Sequence, residues 1–267
     1  MNVDISDASL HAELRRMLVE IPGVVTAFLG GSLVEGYGNE GSDLDLIILT
    51  ERRLQAEEVP IAIGRLVSFE EKQLIVSKSG SIRLDIEIRQ LDYIAHVRDA
   101  LLTAVRDNNY FFSQILKQDT LEFVHDLRIG VPIQNHEVHQ ELVDEFPWDE
   151  LTHWLVGRFE YDAHGHLDDA SAAVNAGDAG LALLTSRSTL QAAVDALLAS
   201  RGATNPKAKW RFRKFESLGI NELAEEYLRY ETDSSVEPKQ ILRQAAKRIV
   251  FSQDILIDAR ERLASQA

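Results

Sequence analysis

The residues most able to do chemistry are two acids near the start of an apolar segment, Asp43 and Asp45 in DLDLIILT. The apolar run predicts a buried strand, and alternation along a strand places both acids on one face, about 7 Å apart. Two carboxylates held together near a core repel each other and lose hydration, so a positive partner is expected. Oxygen-only ligands of this kind suit Mg²⁺, usually alongside substrate phosphates. Two such ions, about 4 Å apart, can clamp an in-line displacement at phosphorus.

A glycine-rich turn precedes these acids. Gly30, Gly31 and Ser32 follow a short apolar run, residues 24–29, that predicts a strand ending at the turn. Glycines let backbone N–H groups approach phosphate oxygens closely. Ser32 adds a hydroxyl donor, and a short helix beginning there would point its N-terminus at the same anion. Either motif alone is common, but their combination in this order is far more specific.

The segment GGSLVEGYGNEGSDLDLIIL resembles the signature of the DNA polymerase beta-like nucleotidyltransferase superfamily. That signature has Gly-Gly or Gly-Ser, about ten residues, then Asp-x-Asp, with a third acid on a later strand. The segment RLDIEI fits the third element, and we assign the acid to Asp85 because an arginine precedes it, as in the polymerases. In size, and in an expected helical second domain, the chain also resembles stand-alone enzymes that nucleotidylate aminoglycosides and lincosamides.

The resemblance implies a role for each residue of the motif. Asp43 and Asp45 would bind both of two Mg²⁺ ions and Asp85 one of them, so that all three are catalytic. ATP is the implied nucleotide substrate. The implied nucleotide-binding residues are Gly30, Gly31, Ser32, Ser42 and Lys209, the last beside Trp210 and similar to a lysine in helical domains of related enzymes.

The general base has more than one candidate. Glu87 shares a strand face with Asp85 and could accept the proton of an attacking hydroxyl. In some antibiotic-modifying relatives the base comes from the second domain, so Glu160 and Asp162 compete with Glu87. Each of these acids could equally be an ordinary exposed residue.

Composition limits the partners. The 267 residues include 43 acids against 28 lysines and arginines, a formal charge of −15, which argues against nucleic acid and is compatible with a small cationic acceptor. There is no cysteine, which excludes thiolate catalysis and cysteine-bound zinc. No apolar run is long enough to span a bilayer, and the first twenty residues do not resemble a secretory signal. We therefore expect a cytoplasmic protein without a membrane partner.

The pattern along the chain predicts an α+β fold. Residues 1–130 are expected to form a nucleotidyltransferase catalytic domain with a mixed sheet and flanking helices, and residues 131–267 a helical, substrate-binding bundle. The pattern also predicts helices over residues 54–66 and 110–117, a hairpin turn at residues 79–81, and an interruption of the first bundle helix at Gly165.

The second region carries three further signals. Arg158 and His164 have the spacing of a helical ribonuclease motif, although this spacing is easily met by chance. An acidic stretch could receive a cationic substrate, and a basic cluster could screen a triphosphate. The acidic stretch contains Glu141, Asp144, Glu145, Asp149 and Glu150, and the basic cluster Lys207, Lys209, Arg211, Arg213 and Lys214.

Together these features predict a metal-dependent adenylyltransferase. It would transfer AMP from ATP to a hydroxyl of a small polar molecule, such as an antibiotic, and release pyrophosphate. Two alternatives stay open. The acceptor could instead be a protein side chain or a tRNA end, as in toxin or antitoxin members of the superfamily, or the chain could be a non-catalytic regulatory member of the fold.

Overall fold

The structure is a computed structural model that describes residues 4–79, 82–110, 116–233 and 235–266. The chain divides into two compact units. The first consists of Met1–Ala100 and Ile115–Phe146, and the second of Leu101–Gln114 and Pro147–Ala267. The functional division expected at residues 130 and 131 stays a prediction.

The first unit is built on a mixed sheet. Among the described residues, six strands pair in the order β3-β4-β5-β2-β1-β6. The neighbouring strands β2 and β5 run parallel, whereas the other pairs are antiparallel. The strands are β1 (Val24–Gly30), β2 (Leu44–Thr50), β3 (Val67–Ser68), β4 (Gln73–Ser79), β5 (Ile82–Gln90) and β6 (Val131–Gln134).

One face of the sheet forms the core of this unit. Leu44, Leu46 and Ile48 alternate along β2 and are fully buried, because every second side chain of a strand lies on the same face. Buried leucines at positions 10, 14 and 18 form an apolar stripe on α1 (Ala8–Val19) and belong to the same core cluster. The opposite face of β2 and β5 therefore carries the acids.

Further helices complete the first unit, and a helical bundle forms the second. In the bundle, α6 (Trp148–Ala176), α7 (Ala179–Ser200) and α10 (Pro238–Gln266) are the long helices, and α6 is continuous through Gly165. The helices are α2 (Gly31–Val34), α3 (Asp92–Arg106), α4 (Gln118–Ile129), α5 (His136–Asp144), α6 (Trp148–Ala176), α7 (Ala179–Ser200), α8 (Arg211–Ser217), α9 (Asn221–Thr232) and α10 (Pro238–Gln266).

The observed elements confirm the α+β prediction, with local differences. The helix expected over residues 54–66 is wrong, since only a 3₁₀ turn forms at Ala56–Glu58 and Pro60 lacks the N–H that a continuing helix needs. Strands β3 and β6 were not expected. The interruption expected at Gly165 is also wrong. The hairpin turn at residues 79–81 and the helix at residues 110–117 fall largely outside the described residues. No described helix is both long and apolar enough to cross a membrane.

The sheet core gives a stability prediction. Ile86, on β5, is 1% exposed, whereas Ile61 in the same unit is 96% exposed. We expect Ile86→Ala to lower the free energy of unfolding by about 2–5 kcal/mol, because it leaves a cavity among packed side chains. Ile61→Ala is the matched control and should change it by less than about 0.5 kcal/mol. Denaturant titration measures both, and equal losses would contradict this account of the core.

Candidate functional site

Strand pairing places two of the predicted acids side by side. In the register of the sheet, Asp45 on β2 lies opposite Asp85 on the parallel strand β5, and opposite Gly30 on β1. Asp43 immediately precedes β2. Residues paired directly across strands point to the same face, so the backbone itself fixes Asp45 beside Asp85.

The glycine turn packs directly against these acids. Gly31 has a positive φ of 74°, and a Cβ added there would lie 1.8 Å from Oδ2 of Asp45, so any other residue would be strained and would have to displace that carboxylate. The N–H of Gly31 donates to Oδ1 of Asp126 at 2.8 Å, and Asp126 also closes over Gly30. Asp126, on α4, thereby fixes the turn against β2.

Arg83 pairs with two of the acids in this structure. Arg83 donates from Nε and Nη2 to the two carboxylate oxygens of Asp85, at 2.8 and 2.9 Å. Its Nη1 lies 3.6 Å from Oδ2 of Asp43. The hydrogen bond to Asp85, followed by the charges of Asp85, Asp43 and Asp45, raises the pKa of the guanidinium. Arg83 thus lies in the electrostatic field of all three carboxylates.

The acids open into a cavity of about 260 Å³ on the polar face of the sheet. Its apolar floor comes from strand residues, including Ile47. Its charged lining combines four acids with two cations: Asp45, Asp85, Glu87, Asp126, Lys72 and Arg83. A space with this lining can hold a polar ligand that carries both phosphate groups and cations.

Glu87 lies in a network of opposite charges. Arg89 donates to its Oε1 at 2.6 Å, and Lys72 donates to its Oε2 at 3.3 Å. Both cations also bind Asp119, at 2.9 and 3.1 Å. The Arg89 side chain is fully buried, with its guanidinium 4.3 Å from the ring centre of Tyr93. Burial raises the pKa of Asp119, but the hydrogen bonds from Lys72 and Arg89 outweigh it, so that pKa lies below its ordinary value.

The three acids fit a divalent cation by their chemistry. All their donors are carboxylate oxygens, which Mg²⁺ prefers, and a positive group already bridges two of them. Over the described ranges, no three acidic, histidine or cysteine side chains lie close enough to hold one metal ion. The arrangement is that of an arginine-bound site, and a metal would need the guanidinium to leave.

The two predicted serines lie close in sequence to the glycine turn. Ser32 is in α2, and its carbonyl accepts from the N–H groups of Tyr37 and Gly38. The hydroxyl of Ser42 accepts from the N–H of Asn39 at 2.9 Å, which stabilises the turn before β2. Their nucleotide contacts stay predictions.

Most of the basic cluster has partners inside the second unit. Arg211 binds both oxygens of Asp195 at 2.9 and 2.6 Å. Lys214 is buried and donates to the carbonyl of Asn205 at 2.9 Å. Lys209 lies over the Trp210 ring, 4.8 Å from its centre. The nucleotide-binding role of Lys209 stays a prediction.

The other charged candidates of the second unit lie on α6. Glu160 pairs with Arg260 at 2.9 Å, and Asp162 with Arg158 at 2.6 Å. Arg158 and His164 are six residues apart on one helix, which turns them about 120° away from each other. Because Arg158 has a carboxylate partner and the two side chains diverge, this pair gives no support to a ribonuclease site.

Comparison with known proteins identifies a family for the part of the chain that carries the acids. Residues 11–123 match the nucleotidyltransferase domain family. This part of the chain is a nucleotidyltransferase domain. The match includes the glycine turn, the three acids and both cations of the cavity. A search of curated proteins finds no significant match.

Two solved structures are similar to the chain. One is a nucleotidyltransferase-like protein from Exiguobacterium sibiricum 255-15, with 13% identity and a TM-score of 0.48, covering 96% of this chain and 75% of that one. The other is spectinomycin adenyltransferase AAD(9) from Enterococcus faecialis, with ATP and spectinomycin. It has 12% identity and a TM-score of 0.37, covering 91% of this chain and 99% of that one. Similarities this low do not bear on substrate or mechanism.

Sequence reasoning missed several residues at the site of the nucleotidyltransferase domain. Two of them are Arg83 and Arg89 on β5. Together with the predicted Asp85 and Glu87 they put a charge at every second position, and this alternation in an otherwise apolar strand indicates a polar face. That signal could have predicted partners such as Lys72. No comparable signal marks Asp126, because only the packing of α4 brings it to Gly31.

The glycine turn gives a prediction with a matched control. Gly31 and Gly23 both have positive φ, 74° and 69°, but a Cβ at Gly23 meets nothing within 4 Å. We expect Gly23→Ala to cost about 1–2 kcal/mol of stability through backbone strain and to keep transferase activity. Gly31→Ala should cost more and abolish activity, because its Cβ displaces the carboxylate of Asp45. Thermal unfolding and pyrophosphate release measure the two effects, and a fully active Gly31→Ala would contradict the packing of the turn on Asp45.

Proposed function

We propose that the chain transfers AMP from ATP to a hydroxyl group of a small polar molecule and releases pyrophosphate. The observation that carries this proposal is the alignment of Asp45 with Asp85, beside the Gly30–Gly31 turn, within a nucleotidyltransferase domain. In this proposal residues 1–130 are catalytic, and residues 131–267 bind the acceptor.

The proposed reaction is a displacement at the α-phosphorus of ATP. The acceptor oxygen forms a bond to phosphorus while the bond to the bridging oxygen of the β-phosphate breaks, and the electron pair leaves with pyrophosphate. Asp43 and Asp45 would hold two Mg²⁺ ions and Asp85 one of them. When bound, these ions neutralise charge that develops on the attacking and leaving oxygens. Gly31 keeps the Asp45 carboxylate in place by leaving room for it.

Charge supports a polar, cationic acceptor. The chain carries a formal charge of −15, and acids outnumber cations in the cavity lining. An acceptor with amino groups, such as an aminoglycoside-like antibiotic, would be attracted to this surface, whereas a long polyanion would be repelled. This reasoning favours a small molecule over tRNA.

Glu87 is our proposed acceptor of the hydroxyl proton. It lines the cavity, and its Oε2 contacts Lys72 at 3.3 Å, longer than the 2.6 Å contact of Oε1 with Arg89. Arg89 therefore holds the carboxylate in position, while Oε2 is the less tightly bound oxygen. Glu160 and Asp162, the alternative bases, are also paired with arginines, at 2.9 and 2.6 Å, and stay alternatives to Glu87.

Labelled ATP tests the proposed function. With [α-³²P]ATP and Mg²⁺, we expect label on a small amino-containing acceptor and none on added tRNA or protein. Asp45→Asn should lower the rate by about 100-fold or more, because a metal ligand is lost. The control Asp99→Asn changes an exposed acid of the same unit and should leave the rate unchanged. Label on tRNA or protein would show that the acceptor is a macromolecule and not a small molecule. No turnover with any acceptor or nucleotide would refute the proposal.

The base assignment has a separate test. We expect Glu87→Gln to lower kcat by about 100-fold, because an amide cannot accept the proton of the attacking hydroxyl. Glu57→Gln, at an exposed glutamate of the same unit, is the control. A Glu87→Gln variant that keeps the native kcat would contradict this assignment and give the proton to another acid.

A further inference from the structure

Arg83 differs from the other cations at the site in what holds it. Arg89 is completely buried between two carboxylates and an aromatic ring, and Lys72 lies between the same two carboxylates. The Arg83 side chain is 53% exposed, and its ion pairs are with Asp85 and Asp43. Nothing in those contacts prevents its guanidinium from swinging into solvent, because a long exposed side chain changes rotamer readily.

Arg83 lies between two of the acids that are expected to hold a metal. Its guanidinium bridges Asp43 and Asp85, two of the acids proposed to hold Mg²⁺, and Asp45 adds to the field around it. Without some cation there, adjacent carboxylates would repel each other. Arg83 therefore supplies the charge that the acids need, but it fills the space and the oxygen lone pairs that a metal would use.

The cavity offers the displaced guanidinium a second partner. Arg83 lines the same cavity as Asp45 and Asp85. A triphosphate held there by metal ions would bring phosphate oxygens within reach of a side chain anchored on β5. Guanidinium groups bind phosphate oxygens as well as they bind carboxylates, often through two hydrogen bonds.

We propose that Arg83 occupies the cation position at Asp43 and Asp85 until a divalent metal displaces it, after which its guanidinium binds the triphosphate. The inference rests on the proposed function, since it needs the metal site. It makes metal and nucleotide binding mutually supportive: the metal releases the arginine, and the nucleotide gives the released arginine a new partner. The coupling is reciprocal by linkage.

The test follows the Nε–H signal of Arg83 by nitrogen–proton NMR on the full chain, assigned by its absence in Arg83→Gln. We expect Mg²⁺ to shift this signal with the same dissociation constant that calorimetry gives. Arg83→Gln should bind Mg²⁺ about fivefold more tightly than the native chain, because no ion pair has to be broken. Arg52→Gln, which removes an exposed arginine paired with Glu58, is the matched control and should bind Mg²⁺ unchanged.

The second part of the test concerns nucleotide binding and uses the ATP analogue α,β-methylene-ATP. With Mg²⁺ present, the analogue should shift the Arg83 signal a second time and should bind Arg83→Gln about fivefold more weakly. The Arg83→Lys variant keeps the positive charge but lacks the planar set of guanidinium N–H donors. It should therefore recover only part of the affinity for the analogue that Arg83→Gln loses. Recovery of the full affinity would overturn the proposed guanidinium contact.

The outcomes separate this inference from the proposed function. If Mg²⁺ binds in a manner that Asp45→Asn abolishes, yet the Arg83 signal does not move, displacement is refuted and the metal site stands. If neither the native chain nor Arg83→Gln binds Mg²⁺, with or without the analogue, the metal site is refuted, and displacement falls with it.

Discussion

Repulsion between carboxylates is the constraint around which the site is organised. Parallel pairing of β2 and β5 fixes Asp45 beside Asp85, and Asp43 enters β2 next to them. Their backbone positions cannot relax, because the other face of both strands is packed into the apolar core. The charge must therefore be balanced by something that comes to the acids. In this structure Arg83 does so, and in the proposed reaction divalent cations take its place.

Two ways of balancing charge meet on β5. Glu87, Arg89, Asp119 and Lys72 form a network of two acids and two cations whose geometry is fixed by burial of the arginine. Removing any partner would leave an uncompensated charge, so this network resists change. The pair of Arg83 with Asp85 is exposed and can open at low cost. β5 thus carries a fixed charge network at Glu87 and Arg89 and, a few residues away, the ion pair of Arg83 with Asp85, which can open.

Local patterns predicted the elements that position the acids, because apolar runs and glycines act through nearby backbone. The segments DLDLIILT and RLDIEI lie in β2 and β5 as expected. Gly31 has a positive φ and forms the turn that was predicted there. The helix predicted over residues 54–66 did not form, because Pro60 lacks the N–H that a continuing helix needs. The pattern also could not show that Asp126 closes the glycine turn or that Arg83 bridges the acids. Those contacts depend on how α4 packs and on strand order, which sequence periodicity does not contain.

The location of the cations bears on how a triphosphate would be neutralised. The sequence suggested that the basic cluster of the second unit, which includes Lys209, neutralises the triphosphate. In the structure, however, Arg211 is paired with Asp195, and Lys214 donates a hydrogen bond to Asn205. The nucleotidyltransferase domain places Lys72 and Arg83 in the same cavity as its acids. Lys72 is shared between Glu87 and Asp119, so its charge is already balanced. In the proposed reaction a metal would balance the acids, and the charge of Arg83 would then be released for phosphate.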